Sequence, residues 1–231
     1  MRITALLTGR GGSSLKDKNV LKLINKPVLA YPCIEAKKVK LIDDFFVSSD
    51  DNKILKTANK YGFKTIKRPK LLARPSSKHH DVLIHSLNEL NKKEIYPEIL
   101  VVLLANAPII YSKWIKDCIR ILIKKNATAV VPVVKDNDKH PLRSKKITNN
   151  FLKPFLNSKK KISTNRQDLE NCFFICHNFW VIKTSAILKN NGYDPWNFMG
   201  KKTLPYIVKN SHDIHTKLDF NICKFIVENN F

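Results

Sequence analysis

Residues 99–104 read Ile-Leu-Val-Val-Leu-Leu, an unbroken apolar run without polar alternation. A strand with one wet face alternates; a continuous run of this length belongs to a strand covered on both faces, as inside a parallel sheet. The runs at 3–7 and 127–134 have the same character, and shorter strands are expected at 45–48 and 64–67. Segments of helical period lie between them. A helix is expected over 28–38, after Pro27, whose fixed φ suits a helix start. Asp50 or Asp51 is expected to cap a second helix ending at Tyr61, with Gly62 as its stop. Ser76 and Ser77 precede a helix at 79–92. The helix at 111–125 sets Trp114, Cys118, Ile121 and Leu122 at core spacing. Strands alternating with helices predict βαβ units and a mostly parallel, Rossmann-like αβα sandwich.

The alternation breaks after Val134. Residues 136–167 are polar, Lys-rich and full of turn formers, so an excursion from the sheet is expected over about 136–170 of a single domain spanning 1–231. The sheet is expected to resume with one strand over 172–182. A short helix at 184–190 stopped by Gly192, a strand at 204–208 and an amphipathic helix at 218–228 follow.

Lys and Arg total 42 and the formal net charge is +23, which raises nucleic-acid binding. Seven of those cations are arginines, the side chain that reads phosphates and bases in a bidentate fork, and basic–aromatic stripes are missing. The lysines therefore read as a solvated surface that also steers an anionic substrate, and no nucleic-acid partner is expected. No apolar run reaches the roughly 18 residues of a membrane span, and the first residues do not form a leader, so a cytoplasmic location is expected. The five cysteines read as reduced, mostly buried thiols. Cys172, Cys176 and His177 have no second pair at zinc-finger spacing, so zinc is not expected.

In an open parallel sheet ligands bind beyond the carboxyl ends of the strands. The first such end carries Thr8-Gly9-Arg10-Gly11-Gly12-Ser13-Ser14-Leu15-Lys16-Asp17-Lys18-Asn19. Glycines allow close approach of backbone to ligand, exposed N–H groups can cradle phosphate, and Arg10 and Lys18 add charge. The spacing matches neither the dinucleotide fingerprint nor the P-loop.

That loop, with Asn25-Lys26-Pro27-Val28-Leu29 after it, resembles the opening of the CMP-N-acylneuraminate synthetases. The likeness continues in order. Val47-Ser48-Ser49-Asp50-Asp51 resembles their Val-Ser-Thr-Asp-Asp; Arg68-Pro69, Leu72-Ala73, Asp81 and His85-Ser86-Leu87 follow. His140-Pro141-Leu142-Arg143 is similar to their His-Pro-Leu-Lys, Arg166-Gln167 to an Arg-Gln pair, and Asp213-Ile214-His215-Thr216-x-x-Asp219 to Asp-Ile-Asp-Thr-x-x-Asp. This collinear series spans nearly the whole chain.

The resemblance implies the nucleotide-diphospho-sugar transferase type of αβα fold. It implies a cytoplasmic homodimer of cell-surface polysaccharide biosynthesis that moves CMP from CTP to a sialic-acid-like 2-keto sugar (a nonulosonic acid) and releases pyrophosphate. The alternatives are a sugar-1-phosphate or Kdo-type nucleotidyltransferase of the same fold, or a non-catalytic nucleotide-binding homologue. Arg10 and Lys18 take the triphosphate as catalytic cations. Thr8, Gly9, Gly11, Ser13, Ser14, Asn19, Arg68, Ser77 and Asn106 complete the nucleotide site. His140, Arg143, Arg166, Gln167 and Asn178 meet the acidic sugar, the excursion carrying the first four toward a second copy. Asp213, His215 and Asp219 hold Mg²⁺. Asp213 and Thr216 compete for the cap of the last helix.

Four departures mark this chain. His215 stands where the family has a second Asp, and imidazole is a poorer partner than carboxylate for hard Mg²⁺. Leu104-Ala105-Asn106-Ala107-Pro108 lacks the family's Gln, with Asn106 the candidate replacement. Cys176-His177-Asn178-Phe179-Trp180 replaces an Arg-Pro-Asn-Gly segment near the sugar, and 195–200 has no counterpart and is expected to cover the acceptor site.

Overall fold

The computed structural model describes residues 1–12, 15–158 and 161–229. Its elements in chain order are β1 (Ile3–Thr8), β2 (Lys22–Leu23), β3 (Lys26–Pro27), α1 (Ala30–Lys37), β4 (Asp44–Ser49), α2 (Asn52–Lys60), β5 (Lys64–Lys67), α3 (His79–Asn91) and β6 (Ile99–Leu104). Then come α4 (Ser112–Lys124), β7 (Ala129–Lys135), β8 (Lys145–Thr148), β9 (Phe151–Pro154), β10 (Phe173–Ile175), β11 (Phe179–Lys183), α5 (Thr184–Lys189), β12 (Thr203–Ile207) and α6 (Lys217–Asn229). Eight strands form one sheet, ordered β5–β4–β1–β6–β11–β7–β12, with β10 beside the far end of β7. The β5–β4, β4–β1, β1–β6 and β7–β12 pairs are parallel; β11 runs antiparallel between β6 and β7.

The apolar runs lie in the middle of this sheet for the reason their composition requires. Every residue of β1 is buried, and alternate side chains leave by opposite faces. Ile3, Ala5 and Leu7 pack with Leu29, Cys33, Ile54, Ile115 and Leu122 from α1, α2, α4 and the turn before α1. Leu6 joins Leu83, Leu87, Leu90 and Ile187 from α3 and α5 on the other side. Three layers result. A third cluster, with Leu23, Val28, Ile109, Ile214, Phe220 and Cys223, seats α6 against the loops at the carboxyl end of the sheet.

Several local expectations resolve. Asp51 caps α2, accepting from Lys53 N at 2.6 Å and Ile54 N at 3.3 Å, which leaves Asp50 for another task. Gly62 follows α2 with φ +80°, the left-handed turn expected of its stop. Thr216, not Asp213, caps α6: its Oγ1 accepts from Asp219 N at 3.2 Å while Asp219 Oδ2 accepts from Thr216 N at 2.7 Å, a reciprocal capping box. Ser77 caps nothing; its hydroxyl donates to Leu71 O and accepts from Arg74 N.

Two expectations are corrected. The span 172–182 is two strands, β10 and β11, because β7 carries Pro132 at its middle. Proline offers no N–H, so β11 pairs with Ala129 and Val130, β10 pairs with Val133 to Lys135, and the chain breaks at 176–178 between them. Helix α5 is stopped by Asn190 in the left-handed conformation, φ 47°, and not by Gly192. Gly192 answers a close approach instead: a Cβ there would lie 2.6 Å from the Asn197 carbonyl oxygen.

The excursion is a separate hairpin of β8 and β9. Ile147, Phe151 and Leu152 on it are 76%, 69% and 74% exposed, an apolar patch on an otherwise basic arm. Within residues 195–200, Phe198 and Met199 are buried in the core beside Trp180, and none of the six lines the cavity at the carboxyl ends of β1 and β6. Cys33, Cys118, Cys176 and Cys223 are buried free thiols and Cys172 is half-buried; none among these five is bridged. No helix among the described residues is long and apolar enough to cross a membrane.

Candidate active site

A cavity of about 390 Å³ opens at the carboxyl ends of β1 and β6, beside the residues that follow β5. Thr8, Gly9, Arg10, Lys18 and Asn19 form one wall; Arg68, Arg74, Ser77 and His79 another; Asn106, His177, Asp213 and His215 the third. The loop after β1 is drawn tightly over the sheet. A Cβ at Gly9 would stand 2.9 Å from Ala105 Cβ, so no larger residue fits there without movement. Gly12 has φ +63°. Buried Asn19 donates from Nδ2 to Arg10 O at 3.2 Å and accepts Leu29 N on its own carbonyl at 2.9 Å. It shapes the loop from within.

The expectation that glycine N–H groups cradle phosphate is corrected at two positions. Gly9 N donates to Ser48 O at 3.3 Å and Gly11 N to Asp50 Oδ1 at 3.0 Å, so both amides hold the loop to β4. Gly11 also lies outside the cavity lining. Ser13 and Ser14 lie outside the described residues. Asp50, expected only as an alternative helix cap and as part of the family match, is the acidic counterpart of this loop.

Four cations, Arg10, Lys18, Arg68 and Arg74, face one cavity whose described lining holds a single carboxylate, Asp213. Burial pushes the Lys18 ammonium below the ordinary lysine range, with Asp213 opposing and Arg10 adding to the shift. Arg68 is 5% exposed; its Nε donates to Ser48 Oγ at 3.2 Å and Nη2 to Ser48 O at 2.6 Å. Burial lowers it to about 10, against Asp50, so it stays charged at neutral pH. Such a concentration of partly desolvated cations is built for a polyanion.

The third wall is held by hydrogen bonds from the chain itself. Asn106 O accepts Ile214 N at 2.9 Å, while Asn106 Nδ2 donates to Ile214 O at 3.1 Å and to Asp213 Oδ2 at 3.0 Å. His215 Nε2 reaches Asp213 Oδ2 at 2.6 Å. Asn106 thus clamps the segment 213–215 onto the end of β6.

Two histidines that were not expected in the nucleotide site line the cavity. His79 packs edge-on to Trp180, centroids 5.2 Å apart, and parallel to Phe198 at 6.3 Å; its Nε2 is buried without a hydrogen-bond partner. Burial, then Arg68, then His177 depress it to about 4. His177 leans on Trp180 and Trp196, and burial lowers it against the pull of Asp213. The aromatic backing comes from β11 and the turn at 195–200, far away in sequence, so spacing carried no signal of it.

Some expected residues stand elsewhere. Asp219 does not line the cavity; its Oδ2 accepts from His215 N, Thr216 N and Thr216 Oγ1, and its Oδ1 meets His212. Burial works to raise its pKa, and bonds from Thr216, His212 and His215 overcome this and hold it well below the carboxylate range. Asn178 is fully buried, donating to Ile109 O at 3.2 Å and accepting from Phe179 N at 2.9 Å, so its amide serves the strand break and not a sugar. His140, Arg143, Arg166 and Gln167 lie on the excursion, outside the cavity of their own chain. There Arg143 and Arg166 both pair with Asp138, and His140 Nδ1 caps a short turn by accepting Leu142 N.

An open α/β sheet with a cationic cavity at its strand ends defines a nucleotide-binding transferase class. A family model for cytidylyltransferases matches residues 4–176, and the chain belongs to that family. It is 30% identical over 188 residues to a Helicobacter pylori protein described as pseudaminic acid cytidylyltransferase and UDP-2,4-diacetamido-2,4,6-trideoxy-beta-L-altropyranose hydrolase. That match takes in 80% of this chain and 35% of the relative, so the chain spans about a third of that protein's length. To the CMP-N,N'-diacetyllegionaminic acid synthase of Campylobacter jejuni it is 27% identical over 231 residues, 97% of this chain and 94% of that one. Among solved structures, a CMP:2-keto-3-deoxy-manno-octonic acid synthetase complexed with CTP superposes with TM-score 0.72 at 12% identity, covering 100% of both chains, a likeness of fold.

Proposed function

We propose that this cytidylyltransferase moves CMP from CTP to the anomeric hydroxyl of a nonulosonic acid, releasing pyrophosphate. The observation that carries this is the convergence of Arg10, Lys18, Arg68 and Arg74 on one cavity at the strand ends. The names of the relatives support an acidic nine-carbon acceptor over a sugar phosphate or a Kdo-type acid.

In this reading the acceptor oxygen bonds to the α-phosphorus as the bond to the departing pyrophosphate breaks, and the hydroxyl proton passes to solvent. Charge builds on the phosphate oxygens, so catalysis is positioning plus cations. Arg10 and Lys18 hold the triphosphate and neutralise the leaving pyrophosphate. Arg68, already oriented by Ser48, meets the base or ribose; Ser77 and Asn106 line the nucleotide's path. Thr8, Gly9 and Asn19 keep the loop in place. A divalent ion, Mg²⁺ by family resemblance, would lend charge to the same phosphates. The described residues hold no cage of three His, Cys, Asp or Glu for it. One carboxylate with substrate phosphates and water can anchor a divalent ion carried by the triphosphate, and Asp213 would be that anchor.

The excursion residues His140, Arg143, Arg166 and Gln167 then serve the acceptor of a second copy, with the apolar patch of β8 and β9 as the homodimer contact. Charging that patch with Phe151→Lys and Leu152→Lys should yield monomers in analytical ultracentrifugation and raise the acceptor KM. Unchanged dimers would remove the arm from the interface.

The direct test measures pyrophosphate release with a divalent ion across four triphosphates and a panel of keto-acid sugars and sugar 1-phosphates. Release only with CTP and a nonulosonic acid is expected. Release only with a sugar phosphate, or with a Kdo-type acid, would move the assignment to that acceptor. Nucleotide binding without release under any pairing would leave a non-catalytic homologue.

A further inference from the structure

We propose that Asp213 and His215 form a mixed oxygen–nitrogen half-site that selects a nitrogen-accepting first-row divalent ion over Mg²⁺. The inference rests on the nucleotide-binding reading of the cavity. It goes beyond that reading by naming the class of ion from this chain's own donor atoms.

The two donors already converge. Asp213 Oδ2 and His215 Nε2 are 2.6 Å apart on the cavity wall. Two adjacent ligands of an octahedral ion with bonds of about 2.1 Å stand about 3 Å apart, so opening the pair by a few tenths of an ångström admits an ion between them. The pair is also held facing the cavity. Ile214, between them, is fully buried in the cluster that seats α6, and its backbone is bonded at both N and O to Asn106. Ile214 is buried against α6 while Asp213 and His215 both line the cavity, so anchoring the residue between them keeps the two donors on the cavity side. Asn106 Nδ2 steadies the Asp213 oxygen as an outer-shell partner steadies a metal ligand.

The donor set decides which ion. Mg²⁺ takes oxygen almost exclusively and sheds water reluctantly, so an imidazole at one of two protein positions disfavours it. Along the first-row series, affinity for a site with nitrogen rises from Mn²⁺ to Co²⁺. Asp219 cannot restore an all-oxygen set, because His212, His215 and Thr216 occupy its carboxylate. With two protein donors in place, the remaining positions fall to triphosphate oxygens and water. Lys18 and the three arginines repel a bare cation, so ion and CTP bind together.

The test uses the whole protein with CTP and no acceptor, so nothing turns over. Mn²⁺ is followed by electron paramagnetic resonance, with pulsed measurements for coupling to a ligand nitrogen, and Co²⁺ by its visible spectrum. Expected are a nitrogen coupling from Mn²⁺ in the wild type that is lost in His215→Asp, and an affinity order Co²⁺ over Mn²⁺ over Mg²⁺. The Mn²⁺-to-Mg²⁺ affinity ratio should fall by about tenfold or more in His215→Asp. Circular dichroism confirms that the variant is folded. A Mn²⁺–CTP complex that binds without nitrogen coupling, or an ion preference unmoved by His215→Asp, overturns the proposal. Calorimetry of CTP with Mn²⁺ present separates the two levels: absent CTP binding refutes the nucleotide reading, while CTP binding without nitrogen coupling refutes only the ion assignment.

Discussion

Asp50 touches no substrate in the reading above, yet the geometry makes it responsible for where the phosphate loop sits. Its Oδ1 accepts Gly11 N at 3.0 Å, one residue beyond Arg10, and its charge favours the cationic form of buried Arg68. Asp50→Ala deletes both effects; Asp50→Asn keeps an amide oxygen for Gly11 N and deletes the charge. A bond from a backbone amide to a carboxylate is worth about 1.5–3 kcal/mol when buried. Asp50 is half-buried, so about 1 kcal/mol is the appropriate share after solvent screening. At about 1.4 kcal/mol per factor of ten, that is roughly a fivefold loss of CTP affinity in Asp50→Ala. Asp50→Asn should stay within about twofold of the wild type, since losing a negative charge near the triphosphate partly offsets any slackening of the loop. Calorimetric titration of CTP into the three proteins reads this directly, with kcat at saturating CTP unchanged. Equal affinity in all three would show that the loop does not depend on Asp50. Equal loss in Asn and Ala would assign the effect to charge and refute the hydrogen-bond argument.

Further outcomes follow from the same site. Lys18→Met removes a cation that burial already disfavours, so turnover should fall by about 10²–10³ while the melting temperature holds or rises; a proportionate loss of stability would mark Lys18 as structural. Asn178→Ala leaves Phe179 N and Ile109 O without partners and should cost about 1–3 kcal/mol in urea unfolding, with the acceptor KM unmoved. A raised KM at full stability would return Asn178 to the sugar site. His79 supplies a pH signature. Its folded-state pKa, about 4, lies below the ordinary histidine value near 6.5. The unfolded chain therefore takes the proton first, and the stability held above pH about 6.5 declines toward pH 4, by up to about 3 kcal/mol. His79→Phe should flatten that acid limb in denaturant titrations from pH 7 to 4, and an unaltered limb would assign it to other groups.

Much of this protein was legible before folding was considered. Continuous apolar runs at 3–7 and 99–104 could be stable only inside a covered sheet, and that placed the loop at 8–19 at a carboxyl end. Arg10, Lys18 and Asn19 come to the cavity edge that this order predicts, and Arg68, Ser77 and Asn106, implied by the family resemblance, join them there. These are local matters: hydrophobic period, turn chemistry and the sidedness of a parallel sheet depend on neighbours in the chain.

What depended on distant neighbours was not legible. Pro132 divides a strand some forty residues later only because β7 lies beside it. Asp50 holds the loop because parallel pairing brings the end of β4 beside the end of β1. Asn178 and Asp219 look like ligands by type, but Asn178 meets buried backbone groups at Ile109 and Phe179, and Asp219 meets the N–H groups of His215 and Thr216 at the start of α6, so their polar atoms are engaged before a substrate arrives. The sequence and its family resemblance determined the layers, the edge that carries the site and three of its four cations, Arg10, Lys18 and Arg68, but not Arg74. Tertiary structure decided which polar groups remain available there, because a hydrogen-bonding atom can serve the fold or a ligand, and which it serves depends on what the folded chain puts within about 3 Å of it.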